Sequence, residues 1–132
     1  MKIALGQMYV KSGHCEENFN RIKEMVETAR LEGADLIVFP EMCISGTLLS
    51  DRFLNDEFCN YIHSFNDKIK ELSDGIGIIF GNLYYDALNG IKYANDGSKC
   101  RFNTALFAYN KKWVEKENVL NDGIYLKHFN SD

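Results

Sequence analysis

Proline is almost missing from this chain. One residue in 132, Pro40, leaves no proline-rich linker or polyproline segment. The four cysteines, Cys15, Cys43, Cys59 and Cys100, form no CxxC pair, which argues against a zinc knuckle or a disulfide framework and for free thiols in a reducing cytoplasm. No run approaches the ~20 apolar residues of a membrane span. The short apolar start, Ile3-Ala4-Leu5, is broken by Gly6 and Gln7 before it reaches the length of a signal-peptide core. Basic residues number 15 against 19 acidic ones, a net charge of −4, and they are scattered rather than gathered into a stripe, so a nucleic-acid backbone is a poor partner. Internal repeats and low-complexity segments are also lacking.

What remains is the composition of a folded domain: 45% hydrophobic, 13% aromatic and 26% charged. At 132 residues the chain is read as one domain, 1–132, with one core. Ile3, Leu5, Met8 and Val10 give a first strand. Phe19, Ile22, Val26 and Ala29 recur at helical spacing, and Gly33 ends that helix. Ala34 to Phe39 is a near-continuous apolar run, predicted to be a strand buried on both faces. Strand, helix, strand within about 40 residues reads as a βαβ unit.

Phe58, Ile62, Phe65, Ile69 and Leu72 mark a second helix, capped by Asn55 or Asp56. Ile76 to Leu83 follows as a third strand. Arg101–Tyr109, Trp113–Val119 and Gly123–Phe129 are predicted as strands four to six, with a hairpin tip within Asp86–Lys99. The glycines of Gly75-Ile76-Gly77 precede and enter a strand instead of opening a helix, so they do not make a dinucleotide fingerprint. His14, His63 and His128 are not clustered, and no metal site is assigned to them.

The position that carries chemistry is Glu41. It follows an apolar strand and the lone Pro40, and a carboxyl group fixed at a strand end against apolar neighbours is a usual general base or acid.

Three ordered motifs now matter together: Lys2-Ile3-Ala4-Leu5-Gly6-Gln7, Gly33-Ala34-Asp35-Leu36-Ile37-Val38-Phe39-Pro40-Glu41, and Phe102-Asn103-Thr104-Ala105. They resemble the carbon-nitrogen hydrolase (nitrilase) superfamily. The longer matches, Glu41-Met42-Cys43-Ile44-Ser45-Gly46, Leu49-Ser50-Asp51-Arg52 and Gly81-Asn82, look most like the N-terminal part of the glutaminase domain of glutamine-dependent NAD synthetases.

The resemblance implies the first half of an α-β-β-α sandwich: a mixed sheet covered on one side by two helices. It implies amide hydrolysis, with glutamine as the small-molecule substrate and ammonia passed to NAD synthesis. Glu41 matches the family's glutamate base and Lys127 its lysine. The family's cysteine nucleophile lies on a strand tens of residues past the lysine, and none of the four cysteines here matches it. The expectation is therefore a truncated domain that is inactive alone. No cofactor is assigned to the chain, since ATP would belong to a separate synthetase domain.

Two departures concern the site. Thr47 stands where many such domains carry an aromatic residue, and Phe129-Asn130-Ser131-Asp132 replaces a Leu-Pro step after the lysine. A half-sandwich also leaves one apolar sheet face uncovered. That face predicts a homodimer or higher oligomer, and the alternative function is a noncatalytic interaction or assembly module, or a fragment of another nitrilase-family amidase.

Overall fold

In the computed structural model the described residues are 1–47, 55–84, 102–114 and 124–128, with positions 102, 103 and 124–128 described as backbone only. Among them run β1 (Ile3–Leu5), α1 (Cys15–Leu31), β2 (Leu36–Val38), α2 (Asp56–Glu71), β3 (Gly77–Tyr84), β4 (Phe102–Tyr109), β5 (Lys112–Trp113) and β6 (Ile124–His128). They form one mixed sheet in the order β1-β2-β3-β4, with β5 and β6 both paired to the far edge of β4. The first three strands are parallel and the rest antiparallel. The fold expected from the motifs, a mixed sheet with two helices on one side, is the fold observed.

Helix α1 buries Cys15, Asn18, Ile22, Val26 and Ala29 and turns its charged residues outward. Its end is fixed by Gly33 at φ 78°, where Gly33 N–H donates to Arg30 O and Ala34 N–H to Ala29 O. That bond pair closes a helix through a left-handed residue, which is why glycine stands there. The guanidinium of Arg30 then donates to Leu72 O and Asp74 O, tying the end of α1 to the end of α2.

Helix α2 starts at the Asn55 cap, whose Oδ1 accepts from Phe58 N–H at 2.9 Å. Cys59, Ile62, Phe65 and Ile69 line its buried side. Because β1, β2 and β3 are adjacent, parallel and in sequence order, right-handed crossovers place both helices on the same face. Ala4, Ile37, Ile78, Phe80, Leu106 and Ala108 face them.

Three expectations need correction. The first strand stops at Leu5, and Met8 and Val10 pack from a loop onto the core. The fifth strand begins at Lys112 and is described as Lys112–Trp113, positions 115–119 of its expected span lying outside the described residues; a two-residue turn at Asn110 and Lys111, with φ 51° and 63°, joins it to β4. Such a turn has both central residues left-handed and matches strand twist, but the Asn-Lys pair lacks the glycine that would have marked it in the sequence. Finally, β2 is not buried on both faces. Ile37 is buried at 2% exposure, while Leu36 and Val38 are only half-buried.

The reason is a row of apolar side chains on the second face. Ile3 aligns with Leu36, Gly77 and Tyr109, and Leu5 with Val38, Ile79 and Phe107. Ile3 is 54% and Leu5 70% exposed. The predicted hairpin tip at 86–99 and the segment 48–54 lie outside the described residues.

Loss of the cap isolates a local energy. Asn55→Ala is expected to lower stability by about 1 kcal/mol and Asn55→Gly by only a few tenths, read from chemical denaturation. Equal losses for both would argue that the side-chain bond to Phe58 is unimportant.

Candidate active site

Parallel strands of an open sheet place functional groups at their C-terminal ends. Here β2 ends in stages. Phe39 N–H still donates to Ile79 O at 2.8 Å. Pro40 has no N–H to offer, so the ladder stops, and its carbonyl accepts from Gly81 N–H at 3.3 Å. Past Glu41, Cys43 N–H donates to Gly81 O at 2.9 Å. Glu41 is thus bracketed by two bonds to one glycine of β3.

That glycine is needed for space. A Cβ at Gly81 would lie 2.7 Å from Glu41 Cα and 3.1 Å from Met42 N, so a side chain would push the backbone of Glu41 away. The contact also shows which side of the sheet Glu41 occupies: the face toward which position 81 points, opposite the helices. Glu41 is exposed there rather than sunk among apolar neighbours. The apolar setting begins one residue later, since Met42, Cys43, Ile44 and Ser45 have no exposure. Met42 takes φ 49°, a left-handed conformation that a bulky residue holds only where its surroundings dictate it.

Backbone register places the second candidate. Lys127 pairs with Asn103, and Asn103 pairs with Leu83, two residues beyond Gly81. Alternation along strands puts positions 81, 83, 103 and 127 on one face. The sheet therefore carries Glu41 and position 127 at the same end of the same face, with β3 and β4 between β2 and β6. A groove on this face, lined by Leu5, Gly6, Gln7, Met8, Val38, Phe39 and Pro40, runs up to the residue before Glu41. Thr47 is exposed just past the buried loop.

Cys15, Cys43 and Cys59 are buried thiols outside any disulfide. Burial pushes the Cys43 thiol up from 9.0 to about 12, outweighing the backbone hydrogen bonds that favour its thiolate. Its nearness to Glu41 in sequence therefore does not make it reactive, because the attacking species is the thiolate. Cys100 lies outside the described residues. No three His, Cys, Asp or Glu side chains gather to hold a metal ion among the described residues, and none of their helices is long and apolar enough to cross a membrane.

Two polar groups of this region take no role from the sequence reading, although Asn82 falls within the Gly81-Asn82 match. Asn18 is 3% exposed on α1 and reaches the loop after Glu41. Asn82, with no exposure, donates to Ile62 O and to Asn66 Oδ1, while its carbonyl accepts from Thr104 Oγ1 at 2.7 Å. Its Oδ1 is buried with no hydrogen-bond partner among the described residues. The available signal was an amide side chain at a position whose periodicity calls for an apolar one.

The sequence model of the carbon-nitrogen hydrolase matches residues 2–118. The chain belongs to the carbon-nitrogen hydrolase family. Among curated relatives it is similar to a glutamine-dependent NAD(+) synthetase of Acinetobacter baylyi, 28% identical over 94% of this chain and 22% of the relative. It is also similar to the synthetase of that name from Xylella fastidiosa, 32% identical over 61% of this chain and 15% of the relative. The chain thus spans less than a quarter of the curated relatives it matches.

Its backbone is similar to a crystal structure of a glutamine-dependent NAD(+) synthetase from Cytophaga hutchinsonii, with TM-score 0.71 and 20% identity over 90% of this chain and 19% of that one. It is equally similar to a mutant of the Nesterenkonia AN1 amidase from the nitrilase superfamily, with TM-score 0.71 and 17% identity over 96% of this chain and 42% of that one. These structural likenesses establish the fold of this carbon-nitrogen hydrolase chain.

Two tests follow from the geometry. Gly81→Ala is expected to cost about 1–3 kcal/mol, since the obstacle is backbone. Gly77→Ala should cost less, because the nearest atom is the flexible tip of Leu36 at 2.9 Å. Unfolding midpoints of the two variants compare them directly. For Cys43, the folded thiol keeps its proton where the unfolded one loses it, so stability falls as pH rises from 9 toward about 12. Cys43→Ala should remove that part of the alkaline loss in denaturation at stepped pH.

Proposed function

We propose that this chain forms part of an amide-cleaving site of the glutaminase type, with glutamine as substrate. Glu41 acts as the general base toward an attacking thiol, and Lys127 steadies the charge that develops on the amide oxygen. What carries this reading is the confinement of Glu41 by Gly81 on the face and at the end of the sheet shared with position 127. From β3 to β6 is two interstrand spacings, about 10 Å, a gap that suits a small amide held between two long side chains.

The roles follow from the chemistry. A thiol attacks an amide carbon as thiolate, so it needs a base within reach, and the tetrahedral oxygen needs a cation or donors to hold its charge. The buried thiols of Cys15, Cys43 and Cys59 are unsuited to the attack, Cys100 does not match the family's nucleophile, and the resemblance assigns the attacking sulfur to a strand past Lys127. The groove beside Pro40 offers an apolar wall for the carbon chain of the substrate. The match to glutamine-dependent NAD(+) synthetases supports glutamine as the ammonia donor, with ATP and the NAD precursor handled by a synthetase part elsewhere. A cytoplasmic setting fits three thiols that form no disulfide.

A second reading rests on the apolar face. Ile3, Leu5, Leu36, Val38, Ile79 and Phe107 form an apolar surface that a chain standing alone would bury against a second copy, giving a homodimer with no chemistry of its own.

Ammonia release from glutamine tests the first reading. The full-length gene product should turn over and the isolated chain should not. Glu41→Gln is expected to lower kcat by about 10²–10⁴-fold and Lys127→Met by about 10²–10³-fold. Robust turnover by the isolated 132-residue chain would refute the external thiol. Sedimentation of the isolated chain at roughly 10 μM tests the second. A dimer that Phe107→Glu converts to monomer supports it, and a well-behaved monomer before substitution removes it.

A further inference from the structure

Asn18 spends its whole side chain on the backbone of two separate segments. Its Nδ2 donates to Ile44 O at 2.7 Å and to Lys11 O at 2.9 Å, and its Oδ1 accepts from Lys11 N–H at 3.0 Å. These bonds join the turn before α1 to the loop that leaves Glu41. Beside them, Gly13 N–H donates to Ser45 O at 2.9 Å, and a Cβ at Gly46 would lie 2.7 Å from Ser12 Oγ. The two segments are therefore stitched at three successive levels.

The stitched loop is also the strained one. Met42, next to Glu41, is fully buried in a left-handed conformation, and Gly46 closes the loop at φ 74° while donating to Met42 O at 2.9 Å. Strain of this kind relaxes unless neighbouring groups hold it. The two bonds of Gly81, to Pro40 O and from Cys43 N–H, bracket Glu41 itself; past Cys43, the loop receives a cross-element side-chain bond from Asn18. Leucine or isoleucine at position 18 would continue the apolar periodicity of α1, yet would leave the buried Ile44 O and Lys11 N–H without this partner and Lys11 O with His14 N–H alone of the two.

We propose that Asn18 is a positioning residue for Glu41: its carboxamide locks the loop 42–46 to the turn 11–13, so that the carboxylate is set in place before substrate arrives. The proposal rests on Glu41 being the general base. Asn18 touches no reacting atom; it acts through the backbone on which Glu41 is carried. A misplacement of about 1 Å at a catalytic group costs on the order of 10²-fold in rate, which is the scale of effect this lock can have.

A double-mutant cycle separates this role from a merely structural one. Glutamine hydrolysis by the full-length gene product is measured for the wild type, Asn18→Leu, Glu41→Gln and the double variant. Asn18→Leu is expected to lower kcat by roughly 10–100-fold with KM little changed. In the Glu41→Gln background the same substitution should cost less than about twofold, because there is no base left to misplace. If Asn18→Leu does not fold, Asn18→Asp substitutes for it: it keeps the acceptor for Lys11 N–H and loses the donor to Ile44 O.

Amide exchange supplies a readout independent of turnover. Gly13 and Gly46 should exchange faster in the Asn18 variant while Phe39, which is bonded to β3, does not. Equal losses of kcat in both backgrounds, or unchanged exchange at Gly13 and Gly46, would overturn the proposal and leave the role of Glu41 standing. Full activity of Glu41→Gln, or no turnover by the wild type, would overturn the role of Glu41 and the proposal together.

Discussion

The close approach of β3 to the end of β2 at Gly81 is the constraint on which the site depends. One residue donates its N–H to Pro40 O, accepts from Cys43 N–H at its own carbonyl, and leaves room for Glu41 Cα where any Cβ would stand. Without that approach the chain after Pro40 would have no fixed course. With it, an exposed carboxylate rests on a backbone tied on both sides. Its exposure suits the general-base role proposed for Glu41, since such a base has to be reachable, while the buried residues after it supply the rigidity.

Buried polar groups at this end of the sheet do related work. Asn18 holds the loop from the α1 side, and the chain Thr104, Asn82, Asn66 crosses β4, β3 and α2 from below. Each such amide costs desolvation, which its hydrogen bonds have to offset. In the helix-facing layer elsewhere, Ile22, Ile37, Phe65 and Ile78 pack with no polar partner required. Polar atoms are therefore concentrated where the backbone departs from regular ladders and leaves groups to satisfy.

The regular elements were legible because each is amphipathic with a clear punctuation. Gly33 ends α1, Asn55 starts α2, and the alternation of Phe102–Tyr109 gives β4 to within one residue. The βαβ opening and the place of Glu41 at a strand end were also readable, because Phe39-Pro40-Glu41 states both the strand and its stop. The burial of β2 was misread: Leu36 and Val38 are as apolar as any core strand, and apolarity alone does not say whether a second layer covers them. The fifth strand was readable at Trp113, but its Asn110-Lys111 turn was not, since tertiary bonds, from Gly75 N–H to Asn110 Oδ1 and from Lys111 N–H to Ser73 Oγ, hold a turn that local residue preference would not choose. Asn18 was passed over because one amide on a helix is unremarkable until its partners are known.

One property of the Gly81 junction reaches further than this chain. The groups that fix Glu41 are main-chain atoms: Pro40 O, Gly81 N–H and O, Cys43 N–H, Ile44 O and Ser45 O. Substitution by anything but proline leaves these atoms in place, so much of the surrounding sequence can change, Gly81 and the Asn18 carboxamide excepted, while the backbone that carries Glu41 keeps its course. A backbone that still superposes on a Cytophaga hutchinsonii synthetase at TM-score 0.71 with 20% identity is what such a main-chain scaffold permits under long evolutionary drift.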